Sequence, residues 1–169
     1  MISTKHINEL KLLEKIAIFV DVQNIYYTTR QAYSQQFNYR RFWQHINHQG
    51  DIVMANAYAI DKGDEQQQKF QSALKHIGFD VKLKPYIQRS DGSAKGDWDV
   101  GIAIDVLEAA ENADTIVLLS GDGDFDLLLK KVSLKYGCKT QVYGVPQLTA
   151  TSLVNAADEF FKIEADLLL

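Results

Sequence analysis

At 169 residues, with 46% hydrophobic and 24% charged side chains, the chain has the size of one ordinary domain, and its composition excludes the disordered, collagenous and membrane classes. A net charge of −4 and a pI near 5.5 argue against a wide basic face for nucleic acid, although acids that hold a divalent cation would account for part of the negative count. No apolar run approaches the roughly 20 residues of a membrane helix, and the opening MISTKHINELKLLEK lacks the apolar core of a secretory signal. The expectation is a cytoplasmic protein whose residues 1–169 form a single domain, with a core from Ile16 to about Ile163. The single cysteine, Cys138, can form no internal disulfide and is expected to be a small buried thiol.

Ile16 to Asp21 (IAIFVD) is a continuous apolar run ending in an acid, suited to a strand buried on both faces of a parallel sheet. Asn24 to Ala32 and Tyr39 to His48 are predicted helical, Asp51 to Ile60 is predicted as a strand, and Asp64 to His76 as a polar-faced helix closed by Gly78. Phe79 to Ile87 alternates like a half-exposed strand, and Pro85 places its end near a sheet edge. The loop Gln88 to Gly96 leads to a helix from Trp98 to Ala110. A strand from Thr115 to Ser120, a helix from Asp124 to Tyr136, a strand from Thr140 to Tyr143 and a helix from Thr149 to Ala157 follow. Strands alternating with helices predict a mainly parallel α/β sheet with right-handed crossovers, whose ligand site lies outside the carboxyl ends of the strands.

Three acidic segments bear on that edge. In VDVQN, Asp21 ends the first strand, where an ionised carboxylate beside apolar residues needs a cation or several donors. Asp and Asn are also common helix N-caps; Asn24 fits a cap and a ligand-orienting role equally, and Asp21 fits a cap less well. In LLSGDGDFDLLL, the turn from Ser120 to Asp124 uses glycines to let Asp122 and Asp124 reach into the cleft. The alternative there is a capped helix with Asp122 as a turn residue. Hard cations such as Mg²⁺ and Mn²⁺ take oxygen ligands, so carboxylates from separate elements suit them. In KGDWDVGIAIDV, Asp97 and Asp99 fall in a first helical turn; Asp97 reads as a helix-start charge and Trp98 as a packing residue. Asp105, six residues on, is turned roughly 120° from Asp99 around the axis and is an outer candidate. No phosphate-loop GxxxxGK[ST] or dinucleotide GxGxxG is present, the first strand lacks a DxD nucleophile pair, and DGDFD lacks the bidentate Glu of a calcium loop.

These segments, VDVQN, KGDWDVGIAIDV and SGDGDFDLLL, in this order and with the tail LVNAADEFFKIE, resemble the NYN family, the LabA-like branch of PIN-like domains. The resemblance covers Ile16 to about Ile163 and implies a three-layer α/β/α Rossmann-like (PIN-like) fold. It implies a metal-dependent ribonuclease that hydrolyses phosphodiester bonds of single-stranded RNA through Mg²⁺ or Mn²⁺. By that similarity Asp21, Asp99, Asp122 and Asp124 match the catalytic and metal positions, supported by Asn24, Ser120 and Asp105. The alternative is a regulatory or RNA-binding protein that keeps the fold without turnover. Substrate grip is expected from Lys95, Arg89, Arg30 and Tyr26; Lys82, Lys84, Arg40, Arg41, Tyr27, Tyr33, Phe37 and Tyr39 are further candidates, with solvated surface or core packing as the alternative. The C-terminal LLL can pack on its own domain or on a second copy, which leaves a homodimer open.

Overall fold

Successive side chains of a strand point to opposite faces of its sheet. In β1 (Lys15–Asp21), Ile16, Ile18 and Val20 enter one hydrophobic cluster while Ala17 and Phe19 enter another, and all are buried. The computed structural model describes residues 14–88, 90 and 94–169. In it β1 is flanked by β2 (Asp51–Asp61) on one side and by β6 (Thr115–Leu119) on the other. Beyond β2 lies β3 (Asp80–Pro85); beyond β6 lie β7 (Lys139–Gly144) and β8 (Glu159–Lys162). The six strands are ordered β3-β2-β1-β6-β7-β8 and every pairing is parallel.

The two clusters define the outer layers. Helices α1 (Val22–Tyr33), α2 (Tyr39–Asn47) and α3 (Glu65–Ile77) contribute Ile25, Phe42, Ile46 and Leu74 to the cluster with Ile18. Helices α4 (Asp99–Ala110), α5 (Asp126–Tyr136) and α6 (Thr151–Ala156) contribute Ile102, Val106, Leu129, Val132 and Leu153 to the cluster with Phe19. The result joins the parallel α/β sheet that the alternation predicts to the three-layer α/β/α architecture that the family resemblance implies. Cys138 is buried beneath α4, its Sγ 3.4 Å from the carbonyls of Ala110 and Ala113, and burial pushes the thiol pKa up. No helix among the described residues is long and apolar enough to cross a membrane.

Several boundaries differ from the sequence expectation for local reasons. Helix α1 starts at Val22 rather than Asn24 because Asp21 itself caps it. Helix α5 starts at Asp126 because Gly123–Phe125 close a 3₁₀ turn first. The strand predicted to end at Ile87 stops at Pro85, and β4 (Ile87–Gln88) pairs antiparallel with β5 (Ala94–Lys95) inside the predicted loop. The sixth strand, β8, follows the last helix; its four residues EFFK are too few for alternation to register. Pro85 does end an edge strand. Gly78 closes α3 at φ 138°, a backbone conformation that favours glycine. The C-terminal leucines settle on their own fold: Asn38 N–H donates to the Leu167 carbonyl at 2.7 Å, and Leu168 bridges to Phe37.

Candidate metal centre

With β1 at the point where the strand order reverses, the carboxyl ends of β1 and β6 diverge into opposite layers and leave a crevice between them. Asp21 is the last residue of β1, and Ser120, Gly121 and Asp122 follow β6 directly. A third element closes the crevice: α4, which begins with Asp99. One carboxylate oxygen from each of Asp21, Asp99 and Asp122 lies within 4.8 Å of the others.

Each side chain is held by the chain around it. Asp21 divides its oxygens: Oδ1 accepts the Asn24 N–H at 3.3 Å and so caps α1, while Oδ2 accepts the Ser120 hydroxyl at 3.3 Å. One residue thus both caps α1 and belongs to the carboxylate group, whereas the sequence pattern predicts that Asp21 fits a cap less well than Asn24. Asn24 is no cap. Its Oδ1 accepts the Gly121 N–H at 2.8 Å and ties α1 to the β6 turn. The buried Ser120 accepts the Asp122 N–H at 3.1 Å, and Asp122 Oδ1 accepts the Asp124 N–H at 2.9 Å. Asp97 Oδ1 accepts the Asp99 N–H at 3.1 Å, and the indole N–H of Trp98 donates to the Ala59 carbonyl at 2.8 Å, which anchors the start of α4 on β2.

The glycines of this turn act by close approach. Neither Gly121 nor Gly123 has a positive φ. A Cβ on Gly121 would stand 2.5 Å from the Leu148 carbonyl oxygen, and one on Gly123 2.9 Å from the Ala150 Cβ. They bring the turn against the segment before α6 rather than clearing a path for aspartates. Gly121→Ala is therefore expected to cost about 1–3 kcal/mol in a urea melt, as overpacking does; unchanged stability would show that the turn can move aside.

The electrostatics are those of acids clustered closely enough to repel one another. Burial, offset in part by the Asn24 and Ser120 hydrogen bonds and reinforced by Asp122 and Asp97, pushes the Asp21 pKa up to about 6. Burial, then the charge of Asp122 and a carboxyl–carboxyl hydrogen bond with it, pushes the Asp99 pKa up to about 7. The ion pairs among described residues, Lys82–Asp80 and Lys139–Glu159, leave these three acids unpaired with any described Lys or Arg. An all-oxygen donor set with raised affinity for positive charge fits a hard divalent cation of the Mg²⁺ or Mn²⁺ kind and disfavours thiolate-seeking metals.

The other predicted residues fall elsewhere. Asp124 is exposed and is not in the three-carboxylate group; the 3₁₀ turn that its own N–H closes onto Asp122 sets it apart. Asp105 is also outside the group, as helical phase anticipates, and accepts the Tyr58 hydroxyl at 2.8 Å. Arg30 and Tyr26 are exposed on α1, with the guanidinium 5.7 Å from the Tyr26 ring centroid. Arg89 lies outside the described residues, as does the side chain of Lys95. Phe37 and Tyr39 are core residues, and Tyr33 packs against that core. His45, His48 and His76 are exposed, and His6 lies outside the described residues. Asp97 matters more than a helix-start charge would, since its charge reaches both Asp21 and Asp99. Its position two residues before Asp99 was the available signal.

The protein LabA ("Low amplitude and bright protein") of Synechococcus elongatus is 31% identical over 157 residues, which cover 88% of this chain and 83% of LabA. A crystal structure of a Vibrio parahaemolyticus protein of unknown function superposes with a TM-score of 0.89 at 52% identity, covering 94% of this chain and 98% of that one. The NYN domain family model matches residues 15–164, and the chain belongs to the NYN domain family.

Proposed function

We propose that this protein is a metal-dependent ribonuclease that hydrolyses phosphodiester bonds of single-stranded RNA at the crevice between β1 and β6. The observation that carries this is the convergence of Asp21, Asp99 and Asp122, from three separate elements, at the switch-point edge of an NYN fold. Family membership supports a nuclease-type, RNA-related role, because NYN domains belong to the PIN-like nuclease superfamily.

When bound, a divalent cation supplies Lewis acidity and charge neutralisation for displacement at phosphorus. Asp21, Asp99 and Asp122 would hold it. The rest of the chain's work is positional. Ser120 donates to Asp21 Oδ2 and fixes that carboxylate's rotation. Asn24 locks the β6 turn, and with it Asp122, to α1. Asp97 and Trp98 fix the first turn of α4 and so the approach of Asp99. A phosphodiester is itself anionic and is repelled by three adjacent carboxylates, so activity should be absent without added metal. Asp124 is exposed and two residues from Asp122, and its role in this reading is to orient water or solvated cations from outside the three-carboxylate group.

The test is a panel of structured and unstructured RNAs and single-stranded DNAs incubated with Mg²⁺, Mn²⁺ or a chelator. Cleavage of unstructured RNA that needs the metal is the expected result. A folded protein that cuts none of the panel in either metal would contradict the proposal and favour a binding or regulatory role.

A further inference from the structure

On the layer that holds α1 and α3, a cleft of about 660 Å³ opens between α1 and the turn joining β2 to α3. Its volume is in the range of pockets that hold a small organic molecule such as a nucleotide. None of the three clustered aspartates lines the cleft, but one end of it begins next to them in the chain: Val22 and Gln23, the residues after Asp21, line it. So do Ile60 and Lys62, which lie past Tyr58, the register partner of Asp21.

The lining is complementary to a nucleotide strand. Arg30, Lys62 and Lys69 are exposed in the cleft of an otherwise acidic chain, and no ion pair joins any of them to a described carboxylate. The one acid of the lining, Asp64, is occupied in capping α3, where it accepts the Gln67 N–H at 2.6 Å. Tyr26 and Tyr27 are 43% and 51% exposed and meet edge to face at 5.4 Å. Arg30 already sits over Tyr26 and donates to its hydroxyl, which leaves the Tyr27 ring as the open stacking face. The wall opposite is preformed: the Gln67 side chain accepts the Lys62 N–H at 2.7 Å and donates to the Ile60 carbonyl. The cavity on the other layer, about 400 Å³, is lined by Asp80, Asp105 and Glu108, and its Lys82 is paired with Asp80 at 3.5 Å; it would repel phosphate.

We infer that the cleft between α1 and the β2–α3 turn seats one nucleotide of the single strand next to the scissile phosphate, its base stacked on Tyr27 and its phosphates on Lys62, Lys69 and Arg30. The assignment rests on the ribonuclease function proposed above, and it adds where the strand leaves the acid cluster and what recognises it. Stacking and charge read no base edge, so the subsite should tolerate any base.

The experiment separates binding from cleavage. Binding of a fluorescein-labelled unstructured RNA is measured by anisotropy in an Asp122→Asn background with Mg²⁺, alone and with Tyr27→Ala or Lys62→Ala plus Lys69→Ala. Tyr27→Ala is expected to weaken Kd about tenfold, and the lysine pair to reduce the slope of log Kd against log salt by about 1.4 as well. In otherwise wild-type protein the same changes should raise KM by a similar factor, whereas Leu134→Ala, 87% exposed on the opposite layer, should change neither quantity. If the wild type cleaves RNA but Kd and KM ignore the cleft substitutions, the subsite is wrong and the nuclease stands. If no RNA is cleaved yet binding depends on Tyr27 and the lysines, the cleft stands and the nuclease falls. Absence of any RNA binding overturns the cleft as well.

Discussion

Replacing Asp122 by Asn is expected to lower metal-dependent RNA cleavage by about 10³-fold or more, with the fold intact. Asn keeps an acceptor where Asp122 Oδ1 takes the Asp124 N–H, so the 3₁₀ turn and the start of α5 should survive. What the substitution removes is one of three charges within 4.8 Å of each other, and with it much of the attraction for a divalent cation. Asp21→Asn should behave alike, because Asn is as good an N-cap as Asp and can still accept the Asn24 N–H. Rates measured beside a circular-dichroism melt decide the matter. Full activity in a folded Asp122→Asn protein would remove this residue from the chemistry.

The second large effect is a coupling between pH, metal and stability. The Asp21 and Asp99 pKa values stand at about 6 and about 7, above the value of about 4 in an unfolded chain. A group whose folded pKa is raised stabilises the fold fully below its unfolded pKa, and that contribution is lost as pH rises through the folded value. The metal-free protein should therefore lose stability between about pH 4 and about pH 7, by on the order of 2 kcal/mol for Asp21, equivalent to roughly 4–8 °C in Tm. A cation that binds the ionised carboxylates offsets this loss. Mn²⁺ should thus raise Tm strongly near pH 8 and little near pH 5, where protons compete for the same oxygens. Scanning calorimetry in chelator and in Mn²⁺ at both pH values measures the difference, and Asp21→Asn should flatten it. An equal Mn²⁺ effect at both pH values would mean that the ion binds elsewhere.

Much of the fold was legible because buried parallel strands and amphipathic helices leave different periods in the sequence. IAIFV and IVLL are apolar throughout because both their faces meet a helical layer, as the division of Ile18 and Phe19 between the two clusters shows. Their neighbouring placement at the switch point brought Asp21 and Asp122 together, and helical phase correctly separated Asp105 from Asp99. Local pattern could not supply what depends on turn geometry or on partners distant in sequence. Whether Asp124 joins Asp122 depends on a 3₁₀ turn that spacing does not encode. The glycines at 121 and 123 answer to Leu148 and Ala150, which become neighbours only in the folded chain. The same holds for the cleft cations, since Lys62 and Lys69 lie far in sequence from Tyr27 and line one cleft with it only because β2 runs beside β1.

The most direct test of a single centre built from Asp21, Asp99 and Asp122 is calorimetric titration of the metal-free protein with Mn²⁺ near pH 8, set beside Asp122→Asn. Saturable binding with proton release in the wild type, weakened by about tenfold or more in the variant, is the predicted result. Binding of the same strength in both proteins, or none in the folded wild type, would contradict it.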